Sequence, residues 1–338
     1  MKVSVIIPIY NVEKFISRCA VSLIEQTLTD VEYIFIDDAT PDNSIKVLQE
    51  VIQRYPNRKN QCRIIHHKQN LGLPAARNTG LAVAQGKYIF HCDSDDFVEP
   101  NMLEQLYRKA TETEADIVWC DWWLSFAKNE RYMKQPEYPT GMEALKGMLS
   151  GVMKYNVWNK LIRRSLYEEN GITFPAGYGM GEDMTIMRLF ARASKVAYQP
   201  KAFYHYMQQN NGAFCKTFSE KHLSDVRHNV SMVTEDLKNL FGNALDTELA
   251  FFKLDVKFPF LISDDPAKYN LWKNWYPEAN QYILKNKRLS LRSRCVQWLA
   301  WKNQFWAVWL YYKLVYRIVY GIISVSYTHL RAHETSAH

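Results

Sequence analysis

The cysteines of this chain are few and widely separated. Six occur among 338 residues, and no two of them form a C-x-x-C pair or a spacing typical of zinc ligands. A disulfide framework and a structural zinc site are therefore not expected, and the thiols are typical of a reducing compartment. The six are Cys19, Cys62, Cys92, Cys120, Cys215 and Cys295.

The sequence also lacks a recognisable leader and a long uncharged apolar run. Met1-Lys2 leads directly into the apolar residues Val3 to Pro8, so we expect the protein to stay in the cytoplasm. Near the C-terminus, the uncharged run between Lys302 and Lys313 falls far short of the ~20 residues that span a bilayer. That stretch is therefore not expected to cross a membrane.

Charge is distributed unevenly along the chain. The net charge is +7, yet the residues after Glu278 carry +8 and residues 1–278 carry −1. A nearly neutral body with a basic C-terminal part indicates that only the latter has an anionic surface as its partner. With 47% hydrophobic residues, the chain is large enough to bury a proper core.

Strand and helix patterns alternate over the first hundred residues. Apolar runs at Val3 to Pro8, Val31 to Ile36, Cys62 to His66 and Lys87 to Cys92 are separated by helical patterns. This alternation predicts an α/β fold with a mostly parallel sheet flanked by helices, followed by a C-terminal helical extension. We place the α/β domain at residues 1–215 and the extension at residues 216–290.

Two common phosphate-binding loops are missing from this sheet. A G-x-G-x-x-G loop would follow the first strand, but Pro8-Ile9-Tyr10-Asn11 stand there, and no P-loop is present. A dinucleotide-binding domain is therefore not expected. If the sheet binds a phosphate group, a metal ion and side chains must neutralise its negative charge.

The strand at Lys87 to Cys92 runs directly into three carboxylates, Asp93, Asp95 and Asp96. Open α/β sheets bind their ligands at this carboxyl edge. Clustered carboxylates repel one another unless a cation or hydrogen-bond donors neutralise them, and oxygen ligands suit Mg²⁺ or Mn²⁺ shared with substrate phosphates. The alternative is an acidic turn before a helix that begins near Pro100.

Four segments, taken in order, resemble the family-2 bacterial glycosyltransferases. They are Val5 to Asn11, Phe35 to Ser44, Asn70-Leu71-Gly72 with Ala75-Ala76-Arg77-Asn78, and Asp93 to Asp96. Trp158-Asn159-Lys160-Leu161 and Gly181-Glu182-Asp183 extend the resemblance, which covers roughly residues 1 to 210. It implies an inverting enzyme with the nucleotide-binding glycosyltransferase A-type fold, of the kind that builds capsule, lipopolysaccharide or exopolysaccharide.

The resemblance implies that a nucleotide-sugar donor, with UDP as the nucleotide, binds at the first two strand ends. Asp38 would accept the uracil N–H, because a carboxylate is an acceptor only, and Asp37 with the backbone near Pro8 and Tyr10 would flank the ring. Arg77 would contact the nucleotide or its phosphates. The alternatives are an acidic turn entrance for the aspartates and a surface position on a helix for the arginine.

The same resemblance assigns the metal ion, Mn²⁺ or Mg²⁺, to Asp95, with Asp93 and Asp96 sharing contacts to the metal, ribose and sugar. The ion would neutralise charge on the departing diphosphate. His205 is a further candidate for a metal or phosphate contact, although a lone histidine is more often a packing residue. Lys160 would contact the diphosphate or the acceptor, unless its role is structural.

The resemblance also makes Asp183 the catalytic base that takes the proton from the acceptor hydroxyl. A glycine-rich segment, 177–181, leads into Glu182-Asp183, and the apolar pattern that follows predicts a helix with a buried face. Asp183 then stands in a first helical turn, where the helix dipole favours a carboxylate. Asn159 would contact the diphosphate or acceptor and Trp158 would offer the acceptor sugar a stacking face, with structural roles as the alternative.

The C-terminal part combines aromatic and basic residues. Aromatic side chains recur at three- and four-residue steps, which predicts an amphipathic helix over residues 291–325 that binds the inner membrane surface through Lys285 to Ile323. The alternative is a helix packed on the catalytic domain or on a second copy in a homo-oligomer. No RNA or DNA motif accompanies the basic charge, so no nucleic acid is expected as a partner. The aromatic residues are Trp298, Trp301, Phe305, Trp309, Tyr312, Tyr316 and Tyr320.

The sequence therefore predicts a metal-dependent glycosyltransferase at the inner face of the plasma membrane, acting on a glycan or lipid-linked acceptor. One alternative is a catalytically silent, membrane-peripheral subunit that binds nucleotide or glycan. Another is a sugar-nucleotide nucleotidyltransferase, whose glycine-rich, basic phosphate loop is missing here. Residues 326–338 resemble translated sequencing-adapter sequence and are expected to be disordered.

Overall fold

The computed structural model describes residues 1–208 and 219–319, which contain nine strands and twelve α-helices. The strands are β1 (Val3–Ile9), β2 (Val31–Asp37), β3 (Cys62–His66), β4 (Tyr88–His91), β5 (Phe97–Val98), β6 (Ile117–Ser125), β7 (Glu130–Met133), β8 (Lys160–Arg163) and β9 (Val196–Met207). The helices are α1 (Ile16–Ile24), α2 (Ser44–Gln53), α3 (Leu73–Val83), α4 (Met102–Glu112), α5 (Gly141–Leu149), α6 (Arg164–Glu169), α7 (Thr185–Phe190), α8 (Glu220–Phe241), α9 (Asp246–Lys257), α10 (Pro266–Asn274), α11 (Leu291–Trp301) and α12 (Phe305–Tyr311).

All nine strands belong to one sheet in the order β3-β2-β1-β4-β8-β6-β9-β5, with β7 paired to β6. Strands β3, β2, β1 and β4 are parallel neighbours. Strand β8 is antiparallel to both β4 and β6, whereas β6 and β9 run parallel. The predicted α/β fold, with a parallel sheet among helices and a helical C-terminal part, is confirmed.

Strand β1 lies at the centre of the parallel part and is buried along its whole length. All seven of its residues are buried, as expected for a strand covered by helices on both faces of a parallel sheet. Its valines and isoleucines favour extended backbone because they are branched at Cβ. Each such side chain contributes about 1.5–3 kcal/mol to folding when it is fully buried.

Helix α3 packs closely against β1 because Gly80 has no side chain. A Cβ atom at Gly80 would lie 2.4 Å from Cγ2 of Ile6, so any larger residue would push the helix away from the strand. Arg77 lies on the same helix one turn before Gly80. The close contact therefore fixes the position of Arg77 along the strands, next to their carboxyl ends.

The chain divides into two compact units. Of the described residues, one unit contains 1–145, 154–208 and 219–239, and the other contains 146–153 and 240–319. The second unit holds α9 to α12. Among the residues that the structure describes, no helix is both long and apolar enough to cross a membrane.

The described part of the C-terminal segment contains α11, α12 and a π-helix, Tyr312–Val319, that continues α12, where the sequence predicts a single helix over 291–325. Helices α11 and α12 are separated at Asn303, whose φ of 56° is left-handed and ends the first helix. The aromatic stripe is therefore interrupted. Tyr320, Ile323 and residues 326–338 lie outside the described residues.

Four tryptophans of α11 and α12 present between 37% and 68% of their surface to solvent. The ammonium of Lys302 lies 4.7 Å from the ring centre of Trp301, and that of Lys313 lies 5.5 Å from the ring centre of Trp309. This part of the chain thus exposes aromatic rings beside cations. The four are Trp298, Trp301, Trp306 and Trp309.

Candidate functional site

The candidate site lies where the parallel strands β2, β1 and β4 end side by side. Pro8 is buried within β1 and is paired with Ile36 of β2. Tyr10 is the first residue after β1 and is 48% exposed. The expected nucleotide residues of β1 are therefore one buried proline, which shapes the strand end, and one accessible aromatic ring.

Asp38, which follows β2, is buried and accepts several hydrogen bonds. Its Oδ1 atom lies 2.7 Å from Nδ1 of His67 and accepts from the backbone N–H of Leu71 at 2.8 Å. Its Oδ2 atom accepts from the backbone N–H of Gly72, also at 2.8 Å. In this structure Asp38 holds the loop that enters α3, a contact that sequence reasoning did not anticipate.

Asp37 ends β2 and makes local contacts. Its Oδ1 atom accepts from the backbone N–H of Thr40 at 2.9 Å, and its Oδ2 atom lies 2.7 Å from Nδ1 of His66. The first contact is typical of an aspartate that stabilises the turn after a strand. Both aspartates therefore shape the loops around the strand ends.

Arg77 connects the end of β4 with the turn before α7. Its side chain is 1% exposed, and its Nη2 atom donates to Oδ1 of Asp93 at 3.0 Å. Its Nη1 atom donates to Oε1 of Glu182 at 3.1 Å and to Oδ1 of Asp183 at 2.8 Å. We call Arg77, Asp93, Glu182 and Asp183 the carboxylate–arginine cluster. The structure thus brings Arg77 to protein carboxylates, neither to the surface nor to an open nucleotide pocket.

Burial and mutual repulsion raise the pKa values of two acids in this cluster. Burial raises the pKa of Glu182 to about 8, with repulsion from Asp183 adding to the rise and attraction to Arg77 opposing it. Burial raises the pKa of Asp93 to about 6, against the attraction of Arg77. Glu182 is therefore the protonated acid of the cluster at neutral pH.

The guanidinium of Arg77 stays charged in this setting. Burial lowers its pKa, but attraction to Asp183, Asp93 and Glu182 outweighs burial, so that its pKa lies above the ordinary value. One permanent cation thus attracts all three acids that approach it and offsets part of their negative charge.

Asp183 lies in the 3₁₀ turn Glu182–Met184, which leads directly into α7. Gly181 precedes this turn with φ of 87°, a left-handed value that favours glycine. Besides its bond to Arg77, Asp183 accepts from the backbone N–H of Val157 at 3.3 Å through Oδ2, and its side chain keeps 22% exposure. The helix predicted after Asp183 is present, and the carboxylate is held yet accessible.

Asp96 is buried and turned away from the strand edge. Its Oδ2 atom accepts from the hydroxyl of Tyr204 at 2.7 Å, and its Oδ1 atom accepts from the backbone N–H of Met207 at 2.7 Å. The same hydroxyl accepts from the backbone N–H of Asp93 at 3.1 Å. Asp96 therefore ties the end of β4 to β9, and Tyr204 is a site residue that the sequence analysis did not identify.

Asp93 and Asp95 are the two acids of this motif that remain partly accessible. Within residues 1–208 and 219–319, no three His, Cys, Asp or Glu side chains gather into a metal site. A Mg²⁺ ion that binds with a substrate diphosphate commonly takes one or two carboxylates and completes its shell with phosphate oxygens and water. Asp93 and Asp95 fit that kind of metal binding.

His205 has both ring nitrogens engaged by carboxylates. Nδ1 lies 2.7 Å from Oε1 of Glu130, and Nε2 lies 3.1 Å from Oε1 of Glu99. The ring stacks on Phe97 with centroids 4.1 Å apart. No nitrogen of His205 is left for a metal ion in this arrangement, so we do not include it in the metal site proposed below.

Lys160 is buried and uses its ammonium group to hold the preceding segment. Nζ donates to the carbonyl oxygens of Lys154 and Asn156 at 3.0 and 2.6 Å, and to Oδ1 of Asn159 at 2.7 Å. Burial lowers its pKa to about 7, against the attraction of Asp183. The three N–H donors of the Lys160 ammonium are thus used by three oxygens of the segment 154–159. Lys160 therefore affects Asp183 only indirectly, because that segment carries Val157, which donates to Asp183.

The two neighbours of Lys160 in the W-N-K motif are also inside the protein. Asn159 is fully buried and donates from Nδ2 to the carbonyl oxygen of Cys120 at 2.8 Å. Trp158 is 4% exposed and stacks on Tyr204 with centroids 4.4 Å apart. Neither side chain offers the open surface that an acceptor contact requires.

Helix α8 contributes to the site, although the sequence analysis assigned no motif to residues 216–278. Asn229 is fully buried and donates from Nδ2 to the carbonyl oxygens of Tyr178 and Met180 at 3.2 and 2.8 Å. Asp225 accepts from the backbone N–H of Met180 at 3.4 Å. The available signal was the position of these polar residues on the buried stripe of α8 that continues with Val233 and Leu237.

Comparison with known sequences agrees with this geometry. The family model described as glycosyl transferase family 2 matches residues 4–181. The glycosyltransferase EpsJ of Bacillus subtilis is 34% identical over 218 residues, which make up 62% of this chain and 62% of EpsJ. The cholesterol galactosyltransferase of Borreliella burgdorferi is 32% identical over 276 residues, covering 78% of this chain and 74% of that protein.

Comparison with solved structures supports the same fold. The crystal structure of S. aureus TarS in complex with UDP-GlcNAc matches with a TM-score of 0.71 at 20% identity. The match covers 93% of this chain and 92% of that one. It therefore extends beyond the α/β part of the chain into the helices that follow.

Proposed function

The chain belongs to glycosyl transferase family 2, and on that premise we propose that it transfers a sugar from a UDP-sugar to a hydroxyl of a glycan or lipid-linked acceptor in surface polysaccharide synthesis. The observation that carries this proposal is the carboxylate–arginine cluster. In it, Arg77 bonds both to Asp93 of the strand-end motif and to Asp183. Arg77 thereby holds Asp93, the acid on the donor side, close to Asp183, the proposed proton acceptor.

The donor occupies the carboxyl ends of β1, β2 and β4. The exposed ring of Tyr10 offers the uracil a face, and the loops shaped by Asp37 and Asp38 adjoin the β2 end. Asp38 makes three hydrogen-bonding contacts in this structure, whereas a carboxylate offers about four acceptor positions. Support for a nucleotide-sugar donor comes from TarS, which shares this fold and was solved with UDP-GlcNAc.

The proposed metal ion, Mn²⁺ or Mg²⁺, is held by Asp93 and Asp95. When bound, it supplies positive charge that stabilises the diphosphate as a leaving group. Arg77 orients Asp93 by taking one of its oxygens. Asp96 anchors the motif from behind through Tyr204 and Met207.

The transfer is a single displacement with inversion at the anomeric carbon. The acceptor oxygen forms a bond to that carbon, the bond between the carbon and the β-phosphate oxygen of UDP breaks, and UDP leaves with the bonding electrons. The acceptor proton passes to the carboxylate of Asp183. Arg77 and the backbone N–H of Val157 hold one oxygen each of that carboxylate, and its partial exposure leaves room for the acceptor hydroxyl.

The proposed partner of the segment from Lys285 to Ile323 is the inner surface of the plasma membrane. The described part of this segment carries exposed tryptophans and several basic residues and contains no acid, a composition that favours anionic interfaces. The Borreliella burgdorferi relative is named for transfer to cholesterol, a lipid acceptor. A lipid-linked acceptor would be met at such a surface.

Release of the nucleoside diphosphate, UDP or GDP, from a panel of UDP- and GDP-sugars with Mn²⁺ added tests the enzymatic proposal. We expect one UDP-sugar to be cleaved by the full chain, and we expect Asp183→Asn and Asp95→Ala to lower the rate by about 100-fold or more. Asp30→Asn, a change at an exposed acid, serves as the control. Binding of UDP without cleavage of any sugar nucleotide would identify a catalytically silent subunit instead.

A further inference from the structure

An acceptor sugar needs a flat apolar surface near the base, and the structure shows that Trp158 does not supply it. The ring of Trp158 stacks on those of Tyr204 and Tyr206, with centroids 4.4 and 5.2 Å away. Sugar rings stack their C–H groups on aromatic faces, which carry partial negative charge. With Trp158 buried, that face must come from another aromatic residue.

Tyr178 is an accessible aromatic residue on the loop that leads into Asp183. Its ring is 37% exposed and lies parallel to the ring of His228, with centroids 3.5 Å apart and planes 6° apart. Because His228 covers one face of the ring, the exposed surface of Tyr178 is made up of its other face and its edges. A ring that is supported on one face and exposed elsewhere is the geometry of a stacking platform.

The backbone around Tyr178 is held by α8. Asn229 donates to the carbonyl oxygens of Tyr178 and Met180, and Asp225 accepts from the N–H of Met180. The side chain of Tyr178 rests on His228 of the same helix. A binding surface that is ordered before the ligand arrives loses less entropy on binding.

The position of Tyr178 in the chain puts this surface on the loop that carries the proposed proton acceptor. The donor residues come from the ends of β1, β2 and β4, whereas Tyr178 lies five positions before Asp183 on one continuous loop. Gly181 lies between the part of the loop that is hydrogen-bonded to α8 and the turn that carries Asp183. A sugar lying on Tyr178 would therefore approach from the side of the proton acceptor.

We propose that Tyr178, supported by His228, is the platform on which a pyranose ring of the acceptor stacks. This inference rests on the proposed function, because it takes Asp183 as the group that deprotonates the acceptor. The ligand class is a hexopyranoside, either within a glycan or as the head of a glycolipid. Helix α8 then belongs functionally to the catalytic unit.

Saturation-transfer NMR on the full chain with UDP and Mg²⁺, which is diamagnetic, tests the platform. The probes are the methyl β-pyranosides of glucose, galactose and N-acetylglucosamine. We expect ring C–H protons of at least one probe to receive saturation from the protein, Tyr178→Ala to weaken its binding about tenfold, and Tyr178→Phe to retain it. Phe126→Ala, a change at an exposed aromatic residue of the hairpin between β6 and β7, should have no effect.

Equal saturation in Tyr178→Ala, or none for any probe with the wild-type chain, would overturn the platform. The rate of UDP-sugar hydrolysis by water separates this result from failure of the proposed function. Hydrolysis that is normal in Tyr178→Ala, together with lost pyranoside binding, supports both proposals. Tyr178-dependent binding in a protein that cleaves no sugar nucleotide would support the platform and refute the enzyme.

Discussion

Arg77 donates a hydrogen bond of 2.8 Å to Asp183, a residue 106 positions further along the chain. Through its other terminal nitrogen it donates to Asp93 at 3.0 Å. Helix α3, the end of β4 and the turn before α7 are therefore joined by one buried cation. A change at Arg77 should affect the donor side and the acceptor side of the site together.

Arg77→Lys should impair both catalysis and stability. Lysine keeps the charge but has no planar fork, so one ammonium cannot replace the two nitrogens that reach Asp93 and Asp183. We expect kcat for UDP release to fall by about 100-fold and the free energy of unfolding in urea to fall by about 1–3 kcal/mol. Arg108→Lys, at an exposed position on α4, is the matched control, and a wild-type kcat in Arg77→Lys would contradict the role assigned to the cluster.

Glu182→Gln should change how stability depends on pH. The pKa of Glu182 rises from 4.5 to about 8 in the folded protein, so between these values the folded state binds more protons than the unfolded state. The free energy of unfolding of the wild type must then decrease as pH rises through that window. Glutamine stays neutral and still accepts from Arg77, so the variant should lose less stability over this range.

Urea unfolding at several pH values from about 5 to about 9 measures this difference. As pH increases, the urea concentration at the transition midpoint should fall less for Glu182→Gln than for the wild type. The wild type also contains Asp93, whose pKa is raised in the same direction, so part of the slope should remain in the variant. Parallel curves for the two proteins would show that Glu182 is ionised throughout.

Lys160→Met should separate a structural role from a nucleotide contact. The ammonium of Lys160 donates to three oxygens of the segment 154–159, and methionine would leave these acceptors unpaired. We expect stability to fall by about 1–3 kcal/mol and kcat to fall because Val157 holds Asp183, while the KM for the UDP-sugar stays within about twofold. A large rise in that KM with unchanged stability would instead support the diphosphate contact implied by the family resemblance.

The strand ends were predictable because their signals are local. Each of β1, β2 and β4 is a short apolar run that stops at a polar residue, and parallel strands place those ends on one edge. Tyr10, Asp37 and Asp93 accordingly lie where the sequence analysis put them along the chain. The family resemblance predicts Asp183 as the catalytic base, and the structure places this residue in the turn that leads into α7.

The partners of these residues were not predictable because they are distant in sequence. The family resemblance implies ligand contacts for Arg77 and Lys160, with a surface position for Arg77 and a structural role for Lys160 as the alternatives. The folded chain instead satisfies them with protein acceptors, from Asp183 for Arg77 and from a neighbouring loop for Lys160. Asn229 carries no local signal except its position on a buried helix stripe.

The break at Asn303 was missed for a different reason. Periodic aromatic residues continue on both sides of it, and periodicity alone does not register one left-handed residue. The break divides the exposed tryptophans between α11 and α12. Their surface therefore depends on two short helices, of which α12 carries Trp306, the most exposed of the four tryptophans.

Replacing Trp306 and Trp309 with alanine should release the protein from anionic membranes. Both rings are exposed on α12, in a segment whose described part carries several basic residues and no acid, so aromatic insertion and charge attraction act in the same segment. We expect the wild-type chain to float with vesicles that contain phosphatidylglycerol, and the double variant to bind them about tenfold more weakly. Added salt should weaken wild-type binding, because it screens the cations.

The double change Phe126→Ala and Tyr132→Ala removes two exposed aromatic residues elsewhere and should leave flotation unchanged. Equal flotation of wild type and the Trp306/Trp309 variant would exclude these rings as the membrane contact. Light scattering on the same samples, without vesicles, tests whether a second copy of the chain binds this surface in place of lipid. A wild-type dimer that becomes a monomer when both tryptophans are replaced would mean that a second copy of the chain, and not lipid, covers α12.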